Sequence, residues 1–351
     1  MQKILSLIMV FVLMTGLVGC QKNEPMPAPT PEPPVSESTI APQPEPNDFT
    51  VKLTFLGDML LACQKDETTA GSFNDYTNKH PKSYFLEKVK SYFESDDFTV
   101  ANLENVLTDR DLTPIEKDYT PAFWFKAKTA NIEILSGSGV DAVLLNNNHT
   151  GDYGSTGFND TVTAVQNAGL KYGSDNSVIY YEKQGFKIGI ICTGLWSKWN
   201  VTLANRKLNE IKETTDYQII FFHGGTEKIH APEELKVNAA HSFIDNGADL
   251  VVGSHPHVLQ PREIYNGKEI IYSLGNFCYG GHRAPENRTI IYQMELTVNK
   301  NDKAVTAEKS DIIPCYVYTQ KYNNYQPAPI EDEAIKQKVL DFMDGKVDSP
   351  V

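Results

Sequence analysis

Two histidines separated by one residue, His255 and His257, follow the apolar run of residues 250–252. An apolar run that changes abruptly to Gly-Ser-His-Pro-His is typical of a buried parallel strand that delivers ligands at its C-terminal end. Pro256 is expected to restrict His255 to extended backbone and to stiffen the turn. Two imidazoles on such a turn can reach a common site.

Four other strand-like runs end in polar residues of similar types. The runs and their polar ends are residues 51–56 before Asp58, 98–101 before Glu104, 141–145 before Asn148 and His149, and 218–222 before His223. In open α/β folds, ligands gather outside the carboxyl ends of the strands. If these strands share a sheet system, the sequence predicts one site with two carboxylates, a carboxamide and several imidazoles.

Such a mixed nitrogen and oxygen donor set suits a divalent Mn, Fe or Zn ion. A set of this size could hold one or two ions. Two ions sharing a carboxylate could polarise a substrate oxygen and activate water. The residues therefore indicate metal-dependent hydrolysis as the chemistry to consider.

Each polar cluster also has a structural interpretation. Asp58 after Gly57 could cap a turn, Glu104 could be a surface carboxylate, and residues 146–148 could form a polar turn. Either His149 or His223 alone is more often a hydrogen-bonded structural residue. The recurrence of one pattern at five strand ends favours a common site.

Asp152 lies three residues after His149 and could either orient it or cap the following helix. Four other histidines are interpreted as structural or surface residues: His80, His230, His241 and His282.

Periodicity predicts a single domain in which strands and helices alternate. Helices are expected at 83–94, 129–135, 158–167, 203–214, 232–246 and 331–343, and further strands at 179–181, 186–192, 270–274, 290–298 and 304–313. We expect the domain at 49–330, followed by a C-terminal helix and tail at 331–351.

The formal net charge of −13 over 351 residues argues against broad nucleic-acid affinity, because phosphate binding needs a basic surface. Beyond Cys20, the cysteines are widely and irregularly spaced, which favours buried free thiols over a disulfide framework. They are Cys63, Cys192, Cys278 and Cys315.

The N-terminus predicts export. Residues 1–19 have one lysine, an apolar core and the ending Leu-Val-Gly before Cys20, which is similar to a bacterial lipobox with Cys20 as the lipidated residue. An ordinary cleaved signal or an uncleaved anchor is the alternative. Residues 20–48 carry nine prolines and predict an extended tether reaching up to about 90 Å from the membrane.

Six segments together resemble the bacterial capsule-synthesis CapA family, which includes PgsA-type proteins of poly-γ-glutamate synthesis. The segments are LGDMLL at 56–61, ANLENVLT at 101–108, NNHTGDYG at 147–154, HGGTE at 223–227, GADLVVGSHPHVLQ at 247–260 and YSLGNF at 272–277. The match covers roughly residues 50 to 315.

The resemblance implies an α/β calcineurin-like metallophosphatase sandwich: two packed mixed β-sheets flanked by helices, with the site at one edge. It implies a set of metal ligands: Asp58, Glu104, Asn148, His223, His255 and His257. It implies that His149 steadies an oxyanion or protonates a leaving group. We predict His149 and Asp152 as the catalytic residues. Glu227 and Asn276 lie in family motifs and are interpreted as substrate-binding residues.

The sequence departs at two positions from the pattern of the wider phosphoesterase superfamily and at one position from that of the family. Leu60 stands where a histidine usually follows Asp58 by two residues, and Glu104 replaces an aspartate. These changes weigh against full two-metal occupancy. Gly224 stands where the family usually has an aromatic residue, so one wall of the pocket is expected to be more open.

The predicted site and the family resemblance are compatible with two functions from different classes. The first is an exported, membrane-anchored metallohydrolase acting on a cell-surface polymer or on a phosphorylated or amide-linked precursor. The second is a non-catalytic assembly or export factor for an anionic polymer, in which a metal bridges polymer carboxylates. A solute-binding lipoprotein is a weaker third, because that class does not need histidines at strand ends.

Overall fold

The computed structural model describes residues 47–64, 67, 69–175, 177–281 and 285–351. The predicted signal peptide, Cys20 and nearly all of the predicted tether lie outside these residues, as does His282. No helix within the described residues combines the length and apolarity needed to span a bilayer. The described residues from Asn47 onward belong to one compact unit.

The described strands number seventeen. They are β1 Asp48–Leu60, β2 Cys63–Gln64, β3 Phe98–Leu103, β4 Val106–Leu107, β5 Phe125–Ala127, β6 Ala142–Leu144, β7 Lys171–Gly173, β8 Val178–Lys183, β9 Phe186–Gly194, β10 Tyr217–His223, β11 Leu250–Ser254, β12 Leu259–Tyr265, β13 Lys268–Leu274, β14 Asn276–Tyr279, β15 Thr289–Asn299, β16 Val305–Tyr316 and β17 Ala328–Pro329.

Seven α-helices and two single 3₁₀ turns connect these strands within the described residues. The helices are α1 Phe73–Lys79, α2 Lys90–Glu94, α3 Glu133–Ser136, α4 Gly154–Asn167, α5 Lys198–Ile211, α6 Glu234–Asp245 and α7 Glu333–Met343; the 3₁₀ turns are Lys82–Tyr84 and Thr129–Ile132.

Two mixed sheets carry the fold. In the first, the strand order is β17-β16-β15-β1-β3-β6-β7, with β14 also pairing with β1. In the second, the order is β12-β13-β11-β10-β9-β8, and β2, β5 and β4 form a small third sheet. The site-bearing strands β1, β3 and β6 run parallel in one sheet, and β10 and β11 run parallel in the other.

One of the hydrophobic cores lies between the two large sheets. Alternating residues of β1, among them Leu53 and Phe55, pack with Phe221 and Val252 of the second sheet, and the rings of Phe55 and Phe221 meet edge to face at 5.7 Å. Helices α1 to α4 contribute to the core on the other face of the first sheet, and α5 and α6 to that of the second. The predicted architecture of two packed mixed sheets flanked by helices is confirmed.

One predicted helix is wrong. Residues 83–94 do not form a single helix but a 3₁₀ turn at Lys82–Tyr84 and the separate short helix α2. Tertiary contacts override the helical spacing here, because Tyr84 stacks on His80 at 4.1 Å and Phe85 packs on Phe73 at 5.0 Å. These contacts tie the first turn to α1.

All four cysteines beyond Cys20 are buried free thiols, as predicted. Burial raises the pKa of Cys192, Cys278 and Cys315, because the thiolate would lose its hydration. These thiols therefore pack as small apolar groups.

Candidate metal centre

The site forms where the carboxyl ends of parallel strands from both large sheets meet. Asp58 lies within β1, and Glu104 and Asn148 follow β3 and β6. His223 ends β10, and His255 and His257 follow β11. The structure thus brings together the six residues that were predicted from the sequence to be metal ligands.

Asp58 is held in place by a close approach of two chain segments. β1 continues through Gly57 to Leu60, so Asp58 lies inside the strand and not after it, at a shift in register with β3. The Asp58 amide donates to the Gly275 carbonyl at 3.0 Å. A Cβ on Gly57 would lie 1.9 Å from the same oxygen, so only glycine fits there.

The turn with the two histidines has left-handed backbone. His255 has φ +102° and His257 φ +60°. The expectation that Pro256 keeps His255 extended is therefore wrong. The His255 amide donates to Asp58 Oδ2 at 3.3 Å, a contact that accompanies the strained conformation and links the turn to β1.

The side chains converge around the Glu104 carboxylate. His223 Nε2 lies 3.5 Å and His257 Nε2 3.8 Å from Glu104 Oε1. His223 Nε2 also lies 3.0 Å from Asn148 Oδ1 and 3.0 Å from His255 Nδ1. Several nitrogen and oxygen donors thus face one small volume.

Glu104 shows that the donor set fits a cation. It is fully buried, and neither carboxylate oxygen has a hydrogen-bond partner among the described residues. Burying an ionised carboxylate without compensation costs several kcal/mol. Two groups of side chains that share Glu104 have donor atoms within 4.8 Å of one another: Glu104 with His223 and His255, and Glu104 with Asp58 and His257. The residues present therefore suit a divalent metal ion.

The protonation states of these residues reflect the same electrostatics. Burial alone would lower the pKa of His257, but Glu104 and Asp58 outweigh it and raise that pKa to about 9. Burial would raise the pKa of Asp58, but His223 and His257 hold it well below its usual range. Burial and the neighbouring imidazoles depress the pKa of His255. The imidazolium of His257 supplies positive charge next to the two carboxylates.

Asn102, a residue to which the sequence assigned no role, connects two of the predicted ligands. Its Nδ2 donates to Asp58 Oδ1 at 2.8 Å and lies 3.0 Å from His223 Nδ1. Its Oδ1 accepts from Asn147 Nδ2 at 3.0 Å. Asn102 precedes Glu104 by two residues in the same motif, which was the available signal. Such contacts fix the orientation of ligands.

Asn276, interpreted from the sequence as substrate-binding, is buried and contacts both the ring and the backbone carbonyl of His257. Its Oδ1 lies 3.0 Å from His257 Nδ1, and its Nδ2 donates to the His257 carbonyl at 3.0 Å. It belongs to β14, which pairs with β1 at Asp58. These contacts fix Asn276 against His257, a predicted ligand, and its substrate-binding role stays a prediction.

His149 directly follows Asn148 in the chain and has Asp152 as its partner. His149 Nδ1 is 2.8 Å from Asp152 Oδ2, and both side chains are buried. Asp152 does not cap α4, whose N-cap position is Tyr153 without a side-chain bond. Of the two roles open from the sequence, the structure has Asp152 contacting His149.

The buried side chain of Lys117 joins the pair formed by His149 and Asp152, and the sequence did not predict this contact. Its ammonium donates to Asp152 Oδ1 at 2.6 Å and to the Phe123 carbonyl at 2.7 Å, with 5% of the side chain exposed. The Phe125 amide donates to Asp152 Oδ2 at 2.8 Å. Lys117 lies in an irregular stretch without periodicity, so no local pattern marks it.

We expect Lys117→Met to destabilise the protein by about 3–5 kcal/mol, because it leaves the Asp152 carboxylate buried without its cation. The exposed Lys128→Met is the matched control, with an expected change within about 0.5 kcal/mol. Chemical denaturation of both variants measures the difference. Equal stabilities would show that the ion pair contributes nothing net.

Trp196 forms one wall of the site. Its ring lies edge-on to His255 at 5.0 Å, and 44% of the residue is exposed. A Cβ on Gly224 would lie 2.5 Å from the Leu195 carbonyl oxygen, so a side chain there would point at the chain beside Trp196. The close approach of Leu195 thus accounts for glycine at position 224, and a more open wall there stays a prediction.

The fold and the site define a class: a two-sheet α/β protein with a buried histidine and carboxylate cluster, suited to a metal, at the meeting edge of its sheets. The family described as bacterial capsule synthesis protein PGA_cap matches residues 52–280, well over half of the chain. The chain belongs to this family, which confirms the resemblance found in the sequence.

Individual relatives agree with the family. The PGA biosynthesis protein CapA of Bacillus subtilis is 26% identical over 322 residues, covering 84% of this chain and 77% of the relative. The capsule biosynthesis protein CapA of Bacillus anthracis is 26% identical over 286 residues, covering 73% of this chain and 66% of the relative. Among solved structures, a phosphatase of Mycoplasma pneumoniae is similar with a TM-score of 0.43 and 16% identity, covering 76% of this chain and 94% of the other.

Proposed function

We propose that this chain is an exported, lipid-anchored accessory protein of capsular polymer synthesis that hydrolyses a bond in poly-γ-glutamate or in a precursor of the polymer. The observation that carries the hydrolytic part is Glu104, a buried carboxylate without a hydrogen-bond partner that faces three imidazoles. The names of the two Bacillus relatives support the link to capsule and polymer synthesis.

A divalent metal ion would be held by the six ligand residues named above. Bound there, such an ion acts as a Lewis acid on the substrate and lowers the pKa of water. Mn, Fe and Zn all suit the mixed donors.

His149 supplies the proton transfer that hydrolysis needs. Its Nδ1 is occupied by Asp152, so Nε2 is the nitrogen that can give a proton to a leaving group. Lys117 and the Phe125 amide fix the Asp152 carboxylate, which holds the ring in one orientation. Phe125 also packs edge-on against the His149 ring at 4.6 Å and limits its movement.

The proposed location rests on the sequence. Residues 1–19 act as the export signal, Cys20 carries the lipid and the proline-rich tether separates the domain from the membrane. A chain with net charge −13 and an anionic polymer repel each other, so a bound cation also serves to bring the polymer to the site.

A second candidate, the non-catalytic assembly or export factor, is favoured by Leu60. This residue lies two positions after Asp58 on β1, is fully buried in the apolar core, and offers no donor to a metal. A centre with a reduced ligand set can bridge polymer carboxylates to the protein without hydrolysing them.

The test begins with the metal content of the protein purified without chelator. We expect one or two equivalents of a divalent ion in the parent. We expect a loss in the His255→Asn/His257→Asn double variant, which removes two imidazoles while asparagine tolerates the left-handed backbone. A folded parent that cannot take up Mn, Fe or Zn would overturn the hydrolase proposal.

Activity separates the two candidates. The metal-loaded parent is assayed with bis(p-nitrophenyl) phosphate and with poly-γ-glutamate, beside His149→Gln. We expect turnover to fall by a factor of about 100 or more in His149→Gln while its metal content is unchanged. Metal binding without turnover of any phosphoester or amide substrate would support the assembly factor.

A further inference from the structure

Glu227 follows β10 in an exposed loop, yet it reaches the buried histidines. One carboxylate oxygen of Glu227 and one nitrogen each of His255 and His257 lie within 4.8 Å of one another. We propose that Glu227 is a further metal ligand, which reaches the centre from the solvent side and acts together with His255 and His257. This inference rests on the metal centre of the proposed function and assigns Glu227 a role other than substrate binding.

The loop that carries Glu227 is fixed to the histidine turn. The Gly224 amide donates to the Ser254 carbonyl at 3.1 Å, and the Lys228 amide donates to the Pro256 carbonyl at 2.7 Å. Glu227 thus lies on a segment hydrogen-bonded at both ends to the chain that carries the two histidines. This backbone pairing keeps its carboxylate close to them.

The opposite side of the loop is equally constrained. Gly225 has φ +113°, and a Cβ there would lie 2.5 Å from both Glu233 Oε1 and Lys236 Nζ. Lys236 is fully buried and donates to Gln260 Oε1 at 2.8 Å. The loop therefore fits between the site and the first turn of α6, and its position is determined by packing on both sides.

Each of the two cation positions has a carboxamide nearby. The position of Glu104, His223 and His255 has Asn148, whose Oδ1 lies 3.0 Å from His223 Nε2. The position of Asp58, Glu104 and His257 has Asn276, whose Oδ1 lies 3.0 Å from His257 Nδ1, while Leu60 is apolar and faces the core.

Among the residues that the structure describes, Glu227 belongs to a third group with metal-binding spacing. The other members of this group are His255 and His257, one from each of the two cation positions. Glu227 adds a third carboxylate to the centre, and its exposure lets an ion enter and leave from solvent. A carboxylate at this position favours a harder ion such as Mn²⁺ over Zn²⁺.

The test measures Mn²⁺ binding to the purified protein after chelation and dialysis, by equilibrium dialysis and electron paramagnetic resonance of free Mn²⁺. Glu227→Gln removes the charge with little change in shape. Glu213→Gln is the matched control, since Glu213 is an exposed glutamate outside the site. We expect Glu227→Gln to weaken one Mn²⁺ site by about tenfold or more, and the control to bind like the parent.

The Tm of the chelated proteins shows whether a variant is folded, and we expect it to be equal in all three. A second variant, Glu227→His, is expected to raise affinity for Zn²⁺ relative to Mn²⁺, because imidazole is the softer donor. Unchanged Mn²⁺ affinity in Glu227→Gln would overturn this inference alone, and so would unchanged ion preference in Glu227→His. A parent that takes up no Mn²⁺, Fe²⁺ or Zn²⁺ would instead overturn the proposed function.

Discussion

Replacing Gly57 with alanine is expected to lower stability by about 3 kcal/mol or more and to abolish metal binding. The added Cβ would lie 1.9 Å from the Gly275 carbonyl oxygen, which is backbone and cannot rotate away. Relief of that clash requires β1 and β14 to separate, and this breaks the 3.0 Å bond between the Asp58 amide and Gly275. Asp58 and the Asn276 that contacts His257 would then move apart.

Gly151→Ala is the matched control for this variant. Gly151 lies in the loop between His149 and Asp152, but a Cβ there would meet no heavy atom within 4 Å. Its φ is not positive, so alanine is tolerated and stability should change by less than about 1 kcal/mol. Thermal unfolding and metal content of both variants provide the comparison. A stable, metal-binding Gly57→Ala protein would show that the two strands do not need to approach so closely.

The ligand set could be predicted because it follows from a local rule. Asp58, Glu104 and His223 each lie at or just beyond an apolar run, and the carboxyl ends of parallel strands meet at one edge. The strand pattern alone did not predict that two sheets share this edge, which was implied only by the family resemblance. Alternation within a strand tells which residues are buried but not against which sheet they pack.

Other parts of the site depend on contacts between distant segments. Lys117 reaches Asp152 from an irregular stretch, and Trp196 reaches His255 from the end of a strand. β14 was missed because the apolar run ends at Leu274, while pairing with β1 begins two residues later at Asn276. The left-handed backbone of His255 also went against its local preference, since a residue before proline usually stays extended. Such conformations concentrate at functional sites.

Metal affinity is expected to rise with pH up to about 9. The pKa of His257 is raised to about 9 by Glu104 and Asp58, so below that pH the imidazole carries a proton that a metal ion must displace. The apparent association constant should therefore increase about tenfold per pH unit between pH 6.5 and 8.5. Calorimetric titration with Mn²⁺ in buffers of different ionisation enthalpy measures both the affinity and the released proton.

His241→Asn is the control, because His241 pairs with Glu263 away from the cluster and should leave the pH slope unchanged. Affinity independent of pH over this range would show that His257 is not the protonated ligand.

The pKa of His257 also governs how stability depends on pH, and the dependence differs between the metal-free and the metal-loaded protein. Without a cation, the raised pKa of His257 means that its ion pairs with Asp58 and Glu104 stabilise the fold fully below about pH 6.5. That contribution is lost as the pH rises through about 9, because a neutral imidazole leaves the two carboxylates uncompensated. The Tm of the chelated protein should fall over this window.

With Mn²⁺ in excess, the loss of the proton instead favours the bound ion, which replaces the missing positive charge. The difference in Tm between the metal-loaded and chelated proteins should therefore widen from pH 6.5 to 9. A difference that narrows with pH would mean that the metal does not occupy the position between Asp58, Glu104 and His257.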